Sequence, residues 1–307
     1  MTEQVQQQIN AANPDEIDLK ELFSAIWAGK WIIIATTFLF SVAAVFYALS
    51  LPNVYKSEVT LAPAGESGGL NIPGQLGGLA ALAGVNLGGK GGDKTALALE
   101  ILKSREFLGR FIEENNLYVP IMAAKGWDRA SDKLLIDPEI YNEETKQWVR
   151  VVEEPFKPKP SVLETIEGFE RLLSAGQDKT SGMISLSFEH YSPFIAKQIA
   201  DKLIIAINED MRNRDLSEAE KSIEYLNKKI GETNLADVRT MLFSLIEEQT
   251  KTLMLANVRH EYVLKVIDPA VVSEKKFKPS RALIVIMSLI IGSALSVLFV
   301  LVRQFKK

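Results

Sequence analysis

The chain contains no cysteine, so no disulfide framework holds it together. This absence suits an oxidising compartment but does not demand one. Histidine is nearly absent too: only His190 and His260 occur, each close to a glutamate and a tyrosine. A metal-ligand or acid–base role needs convergent partners, and neither spacing shows them. The two histidines are therefore predicted to be surface or strand-edge residues, and the sequence predicts no catalytic, metal or cofactor site.

An excess of positive charge is also missing. The net charge is −4, which argues against nucleic acid as a partner. Carboxylates occur mostly as adjacent pairs such as Glu113–Glu114 and Glu247–Glu248. Neighbouring residues on a helix point about 100° apart, so such pairs are typical of solvated faces and not of catalytic carboxylate pairs.

Two long apolar runs stand near the ends of the chain. Trp31–Leu51 and Ala282–Val302 are each 21 residues without a charge, enough to cross a bilayer as a helix. The first is predicted to be an uncleaved anchor, because it exceeds a typical signal-peptide core and follows a long acidic stretch. Neither run contains an ionisable residue, which argues against a proton or ion path.

Two spans divide the chain into five parts. The sequence predicts an N-terminal tail (1–30), transmembrane helix 1 (31–51), a large domain (52–281), transmembrane helix 2 (282–302) and a short C-terminal tail (303–307). Both tails then lie on one side of the membrane and the large domain on the other. Cations flank both sides of the spans in similar number, so charge does not settle the orientation.

Glycine is concentrated in one stretch. Gly65–Gly92 holds 11 of the 19 glycines, too dense for a regular core element, and is predicted to be a loop around a short apolar helix. Within it, Gly84 to Lys90 fits the spacing of a P-loop. The next residue is Gly91, where the motif needs Ser or Thr for magnesium, and no strand precedes it. The P-loop interpretation is therefore rejected.

The second organising feature is a helix without an internal break. From Ser192–Pro193, a helix-start signal, the chain runs to Gly231 without another proline or glycine. Its polar middle, NEDMRNRD, is expected to be solvated or to meet a neighbouring subunit. A second helix follows, so residues of about 192–258 form a predicted arm. The spacing of a coiled-coil seam is carried by Leu216, Ala219, Ile223, Leu226 and Ile230.

The rest of the large domain, about 52–190 and 259–281, is predicted to form an α/β base. Together with the helical arm, it gives a predicted α+β fold. Alternating residues predict strands at 55–64, 182–190 and 261–272. Apolar periodicity predicts one helix over 95–116, and another that Ser161 caps and Gly176 ends. A loop rich in Trp, Asp and Pro, ending near Pro160, is predicted between them.

Both apolar runs carry a stripe of small residues. Such stripes let helices approach closely, so they predict helix packing within the membrane. The stripe of the first run is Thr37, Ser41, Ala44 and Ala48, and that of the second is Ser288, Gly292 and Ser296.

These pieces together resemble the Wzz-type polysaccharide chain-length determinants, also called polysaccharide co-polymerases. The resemblance spans nearly the whole chain and is carried by DEIDLKELFSAIWAGKWIII, ALEILKSREFLGRFIEENNL, EHYSPFIAKQIADKLIIAINEDMRNRD and VIDPAVVSEKKFKPSRALIV. Pro269 and Pro279 match the family's proline segment before the second span, while Ser273 and Lys276 stand where the family usually has proline. A polyproline-like rod is accordingly less expected here.

The resemblance implies a two-pass protein of the Gram-negative inner membrane, with cytoplasmic termini and a membrane-proximal periplasmic base that carries the arm. It implies a non-enzymatic homo-oligomer that sets the length of O-antigen or a related lipid-linked glycan together with a Wzy-type polymerase. Because the sequence ends at Lys307, it also implies the branch without a kinase domain. The alternative is a two-span periplasmic receptor or adaptor for polysaccharide export, which would need an output domain that tails of this length do not offer.

Overall fold

The computed structural model describes residues 27–64 and 90–305. These residues form two compact units: the two apolar helices with their flanks, and residues 53–278. The N-terminal tail up to residue 26, the glycine stretch between residues 65 and 89 with its P-loop-like motif, and the last two lysines lie outside the described residues.

The described elements are a mixture of helices and strands. The helices are α1 (Lys30–Ser50), α2 (Lys90–Leu102), α3 (Arg105–Glu114), α4 (Tyr118–Met122), α5 (Val162–Glu170), α6 (Pro193–Glu232), α7 (Ala236–Val258) and α8 (Arg281–Phe305). The strands are β1 (Tyr55–Pro63), β2 (Ala124–Asp128), β3 (Lys133–Ile136), β4 (Tyr141–Asn142), β5 (Gln147–Trp148), β6 (Leu173–Gln177), β7 (Ile184–His190) and β8 (Leu264–Asp268). This mixture confirms the predicted α+β class.

The first unit consists of α1 and α8, which pack against each other. Both helices are long and apolar enough to cross a membrane, as the sequence predicted. Most of their large apolar side chains face outward, which suits a lipid surround and not an aqueous one.

The second unit is organised around a four-stranded antiparallel sheet in the order β6–β7–β1–β8. The central strand β1 pairs with β7 from Tyr55 opposite His190 to Leu61 opposite Ile184. Alternate residues of β1 are buried, which is the two-residue period that its sequence predicted. The sheet therefore joins the segment just after the first span to the segment that precedes the second.

Helices α2, α3, α5 and the first half of α6 cover one face of this sheet and bury the core. The rings of Phe111, Phe169 and Phe188 contact one another in sequence there, the first pair edge-to-face and the second tilted, with centroids 5.9 and 4.9 Å apart. On α6 the buried residues Ile199, Leu203 and Ile207 contact the same core. The first half of the long helix therefore belongs to the packing of the base, and its second half continues beyond the sheet.

Helix α6 begins at Pro193, as the Ser192–Pro193 signal predicted. The Ser192 hydroxyl accepts a hydrogen bond from the backbone N–H of Ile195, and Pro193 occupies the first helical position. The helix is 40 residues long, or about 60 Å at 1.5 Å per residue. It continues through Gly231 and ends at Glu232, one residue past the predicted stop.

Two of the other predicted helices are wrong in their extent. The expected helix over 95–116 is broken, because the Ser104 side chain caps a new helix by accepting from the N–H of Phe107. The expected helix from Ser161 to Gly176 does begin with a capping box between Ser161 and Glu164, but it ends at Glu170. Leu173–Gln177 forms an edge strand instead, paired with β7.

The segment predicted as a loop, which ends near Pro160, contains regular structure. It carries the short helix α4 and two small hairpins, β2–β3 and β4–β5. Arg150 organises its end, because its guanidinium donates to the carbonyls of Lys157 and Pro158 and to the Glu164 carboxylate.

Candidate functional site

The small-residue stripes of the two apolar helices lie where α1 and α8 meet. On α8, Gly292 and Ser296 are buried and Ser288 is half-buried. On α1, Ala48 is buried, while Thr37, Ser41 and Ala44 are half-buried. The Ser296 and Thr37 hydroxyl oxygens lie 3.5 Å apart. Both stripes therefore sit on the inner faces of this helix pair, which is the arrangement that close packing needs.

Two glycines mark the points where these helices come closest. A Cβ at Gly292 would lie 3.0 Å from the Cβ of Phe40, and a Cβ at Gly29 would overlap a methyl carbon of Val300. At the other end, the Arg281 guanidinium donates to the Ala48 carbonyl at 2.9 Å. Larger side chains therefore do not fit at Gly29 and Gly292 without a shift of the neighbouring residues. The carbonyl groups at the end of α1, which have no partner within the helix, receive a hydrogen bond from a charged donor.

Replacing Gly292 with leucine should separate the two helices. The leucine would overfill a contact that is already tight, at a cost of about 1–3 kcal/mol. Because the chain has no cysteine, the effect can be read from disulfide formation between introduced Thr37→Cys and Ser296→Cys. We expect the cross-linking rate to fall at least about fivefold.

Ile290→Leu is the matched control, since Ile290 is 53% exposed on the outer side of the same helix. Its cross-linking rate should equal that of the parent cysteine pair. Equal rates for Gly292→Leu and Ile290→Leu would show that Gly292 does not set the helix spacing.

The predicted seam of the arm lies on the side of α6 that packs on α7. Ala219 and Leu226 are buried, and Leu216, Ile223 and Ile230 are half-buried. The facing helix α7 supplies a matching stripe that repeats every three or four residues. This stripe consists of Val238, Leu242, Ile246, Gln249, Leu253 and Ala256. The second helix is therefore a return that packs along the first.

Helix α7 also presents an outer apolar stripe that the sequence analysis missed. Phe243, Met254 and Val258 are 55%, 65% and 77% exposed. Their spacings of 11 and 4 residues place them on one face, turned away from the face that meets α6. Large exposed apolar side chains that share a helix face are found at protein-binding surfaces, and here Glu247 and Lys251 lie between Phe243 and Met254 on that face. We call the three apolar residues the outer stripe; its helical spacing was the signal that could have revealed it.

The polar middle of α6 is not simply solvated, contrary to expectation. Asn208, Asp210 and Met211 are buried within the chain. The Asp210 carboxylate accepts from Arg214 one turn later at 2.6 Å and from Arg110 of α3. These pairs lie along an open groove of about 960 Å³ between α3 and α6. The two guanidiniums compensate the buried carboxylate, so the group serves to fix α3 on α6.

Asn208 makes the most complete polar contact of the long helix. Its side-chain oxygen accepts from the N–H of Val263 at 2.8 Å and of Leu264 at 2.9 Å, and its amide nitrogen donates to the Leu264 carbonyl at 2.9 Å. The side chain thereby pairs with the outer edge of β8, whose other edge pairs with β1. One amide thus takes the place of a neighbouring strand and covers the sheet edge.

The proline segment before the second span has little regular structure. Pro269 directly follows β8, and Pro279 lies two residues before α8. Between them, the backbone of Lys278 bridges to Val54, with Val54 N–H donating to the Lys278 carbonyl at 2.9 Å. The chain segments that lead to the two apolar helices are therefore joined to each other by backbone hydrogen bonds.

His190 ends strand β7 but is buried, so the prediction of a surface position is wrong for it. Its Nδ1 accepts from the N–H of Ser192 at 3.1 Å, and its Nε2 donates to the Pro120 carbonyl at 3.0 Å. Only 3% of the residue is exposed, and this burial lowers the pKa of His190 below its ordinary value. The neutral imidazole thus supports the start of α6, whereas His260 is exposed after α7.

Stability should consequently fall on mild acidification. The unfolded chain takes up a proton on His190 near pH 6.5, while the folded chain does so only at lower pH, so stability declines as pH falls from about 6.5 toward the lowered pKa. Urea unfolding at a series of pH values measures this slope. His190→Gln, which retains one donor and one acceptor, should flatten it relative to the parent.

His260→Gln is the control for this experiment, because it removes the exposed histidine only. Its pH dependence should match that of the parent chain. An unchanged slope in His190→Gln would mean that other groups cause the acid sensitivity.

Comparison with known proteins gives matches at both ends of the chain. A family model described as "Chain length determinant protein" (Wzz) matches residues 15–115. A second, described as "G-rich domain on putative tyrosine kinase" (GNVR), matches residues 236–305. A search of curated protein sequences finds no match.

Among solved structures, the chain is similar to a full-length bacterial polysaccharide co-polymerase at 12% identity and a TM-score of 0.39. That alignment covers 94% of this chain and 97% of the other. It is also similar to a fragment of WzzB, a polysaccharide co-polymerase from Salmonella Typhimurium, at 11% identity and a TM-score of 0.34, covering 74% of this chain and 100% of the other.

Proposed function

We propose that the chain is a chain length determinant, which regulates the length of a surface polysaccharide without catalysing polymer growth. The observation that carries this proposal is the match of the family model to residues 15–115, a region that includes α1, β1 and α3. The glycan is O-antigen or a related lipid-linked polymer, and the elongating enzyme is a Wzy-type polymerase.

The proposed location is the inner membrane of a Gram-negative bacterium. Two membrane-spanning helices put both termini on one side, here the cytoplasm, and residues 52–281 on the other, the periplasm. A polymer that grows on a lipid carrier at the periplasmic face would meet this large domain and not the tails.

Regulation of length would depend on assembly of several copies. The outer stripe of α7 supports this part of the proposal, since Phe243, Met254 and Val258 are exposed on the arm and find no cover within the described chain. Copies joined through the arms would form a scaffold whose size and shape influence how long the polymerase retains a growing chain.

The rival function is a two-span periplasmic receptor or adaptor for polysaccharide export. A receptor changes its output when a ligand binds, whereas a chain-length regulator changes the product distribution whenever it is present. The two functions thus differ in what a deletion does to the polymer.

The test is a gel of surface polysaccharide from a deletion strain, with and without the gene restored. We expect the deletion to lose a modal length cluster while polymer is still made, and complementation to restore the cluster. Complete loss of polymer would contradict length regulation and favour an export role. An unchanged length distribution would contradict it as well and favour the receptor.

A further inference from the structure

A bend directly before the second apolar helix concentrates positive charge and an aromatic ring. Residues 273–278 read Ser-Glu-Lys-Lys-Phe-Lys, and we call them the lysine bend. The Ser273 hydroxyl donates to the Lys275 carbonyl at 2.9 Å, which closes the bend. Lys275, Lys276 and Phe277 are all exposed. The bend thus presents the Glu274 carboxylate, the ammonium groups of Lys275 and Lys276, and the Phe277 ring to the surroundings.

Covalent connections keep this bend within a short reach of both apolar helices. Lys278 lies three residues before Arg281, where α8 begins, and its bridge partner Val54 lies four residues after the end of α1. At about 3.5 Å per residue, neither connection spans more than roughly 15 Å. If α1 and α8 cross a bilayer, Lys278 therefore lies within that reach of the membrane surface.

The ring of Phe277 is contacted by two ammonium groups. The ammonium groups of Lys56 and Lys278 lie 5.0 and 5.1 Å from its centroid. Each ammonium also pairs with a carboxylate: Lys56 with Glu58 at 2.6 Å, and Lys278 with Glu189 at 2.7 Å. The ring is 44% exposed. These contacts stabilise an apolar side chain at the surface.

The remaining two lysines are available to an external anion. Lys275 and Lys276 form no ion pair in the part of the chain that the structure describes. Cations beside a span stabilise it on the cytoplasmic side, but long translocated domains do not depend on this rule. The position of these lysines beside the large domain is consequently not accounted for by insertion topology.

We propose that the lysine bend binds the anionic phospholipid headgroups of the membrane that the chain itself spans. Lys275 and Lys276 supply the charge for the phosphates, and the exposed Phe277 ring supplies apolar surface beside them. The contact would hold the edge of the sheet domain, through the Val54–Lys278 bridge, at the membrane surface. This inference does not rest on the proposed role in polysaccharide synthesis.

The test is lipid binding by the full-length chain in a neutral detergent. Fluorescent phosphatidylglycerol and phosphatidylcholine are titrated separately, and unlabelled glycerol phosphate is added as a competitor that carries the headgroup phosphate without a lipid. The test variant is Lys275→Gln with Lys276→Gln. The control, Lys228→Gln with Lys251→Gln, removes the same charge from exposed positions on α6 and α7.

Each lysine near an anionic surface contributes about fivefold in affinity, so the test variant should bind phosphatidylglycerol about twenty-five-fold more weakly. The control should bind like the parent, phosphatidylcholine binding should not change, and added salt should erase the difference. Equal affinity of parent and test variant would overturn the proposal. Full competition by glycerol phosphate would overturn it too, because the site would then recognise free phosphate and not the lipid surface.

Discussion

Replacing Asn208 with leucine is expected to lower the free energy of unfolding by roughly 3–5 kcal/mol. Leucine has a similar size, so the change removes hydrogen bonds without leaving a large cavity. The N–H groups of Val263 and Leu264 and the Leu264 carbonyl would lose their partner. Val263 and Leu264 are at most 4% exposed. Each buried polar group left unpaired costs about 1–3 kcal/mol, and water does not reach them to compensate.

The measurement is chemical unfolding of the full chain in detergent, followed by circular dichroism. Asn227→Leu is the matched control, since Asn227 is an exposed asparagine on the same helix and its replacement should change stability by less than about 0.5 kcal/mol. A loss below about 1 kcal/mol for Asn208→Leu would show that β8 keeps its hydrogen bonds by another route.

This contact also determines how the long helix meets the sheet. Because the Asn208 amide pairs with one residue of β8, a rotation or a one-residue slip of α6 would break all of its bonds to that strand. The apolar core residues of α6 do not by themselves exclude such a slip, since apolar packing is not directional. The Asn208 side chain therefore fixes the rotation and the position of α6 relative to β8.

Local signals were sufficient for the elements that their own sequence determines. The two apolar runs, the alternating residues of β1 and the Ser192–Pro193 start of α6 each carry their pattern within a few residues, and each is present as predicted. The same holds for α7 and β8. In these segments periodicity, capping and composition all favour the same secondary structure, so the prediction did not depend on contacts with residues far away in sequence.

The failures have a different physical origin, because they depend on partners far away in sequence. Leu173–Gln177 reads as the end of a helix, yet pairing with β7 makes it a strand. The polar residue Asn208 lies within a polar run, and its partners Val263 and Leu264 are 55 and 56 residues away. His190 is buried by Pro120, 70 residues earlier. A single sequence gives no sign of these contacts.

The outer stripe of α7 could be predicted only in part. Its helical spacing can be read from the sequence, but the exposure of its residues depends on which face of α7 packs against α6. Leu242, Ile246 and Ala256 face α6, which leaves Phe243 and Met254 on a different side of the same helix. A helix with apolar residues on both faces needs cover on both. Within the described chain α6 covers only one of them, so another molecule is expected to cover the second.

Replacing Phe243 and Met254 together with serine should therefore dissociate the proposed assembly. Each apolar side chain that is buried between copies contributes about 1.5–3 kcal/mol, so the double variant should weaken association at least about hundredfold. Size-exclusion chromatography with light scattering in detergent measures the number of copies. The same variant, expressed in the deletion strain, should fail to restore the modal length of the polysaccharide although the protein is present in normal amount.

Val151→Ser is the matched control, because Val151 is a fully exposed apolar residue outside the arm. It should assemble like the parent and restore the modal length. Two outcomes would distinguish the role of the outer stripe in assembly from the role of assembly in length control. A double variant that assembles normally would remove the outer stripe as the subunit interface. One that dissociates yet still restores the modal length would show that polymer length is set by the single chain and its polymerase, and not by the size of a scaffold.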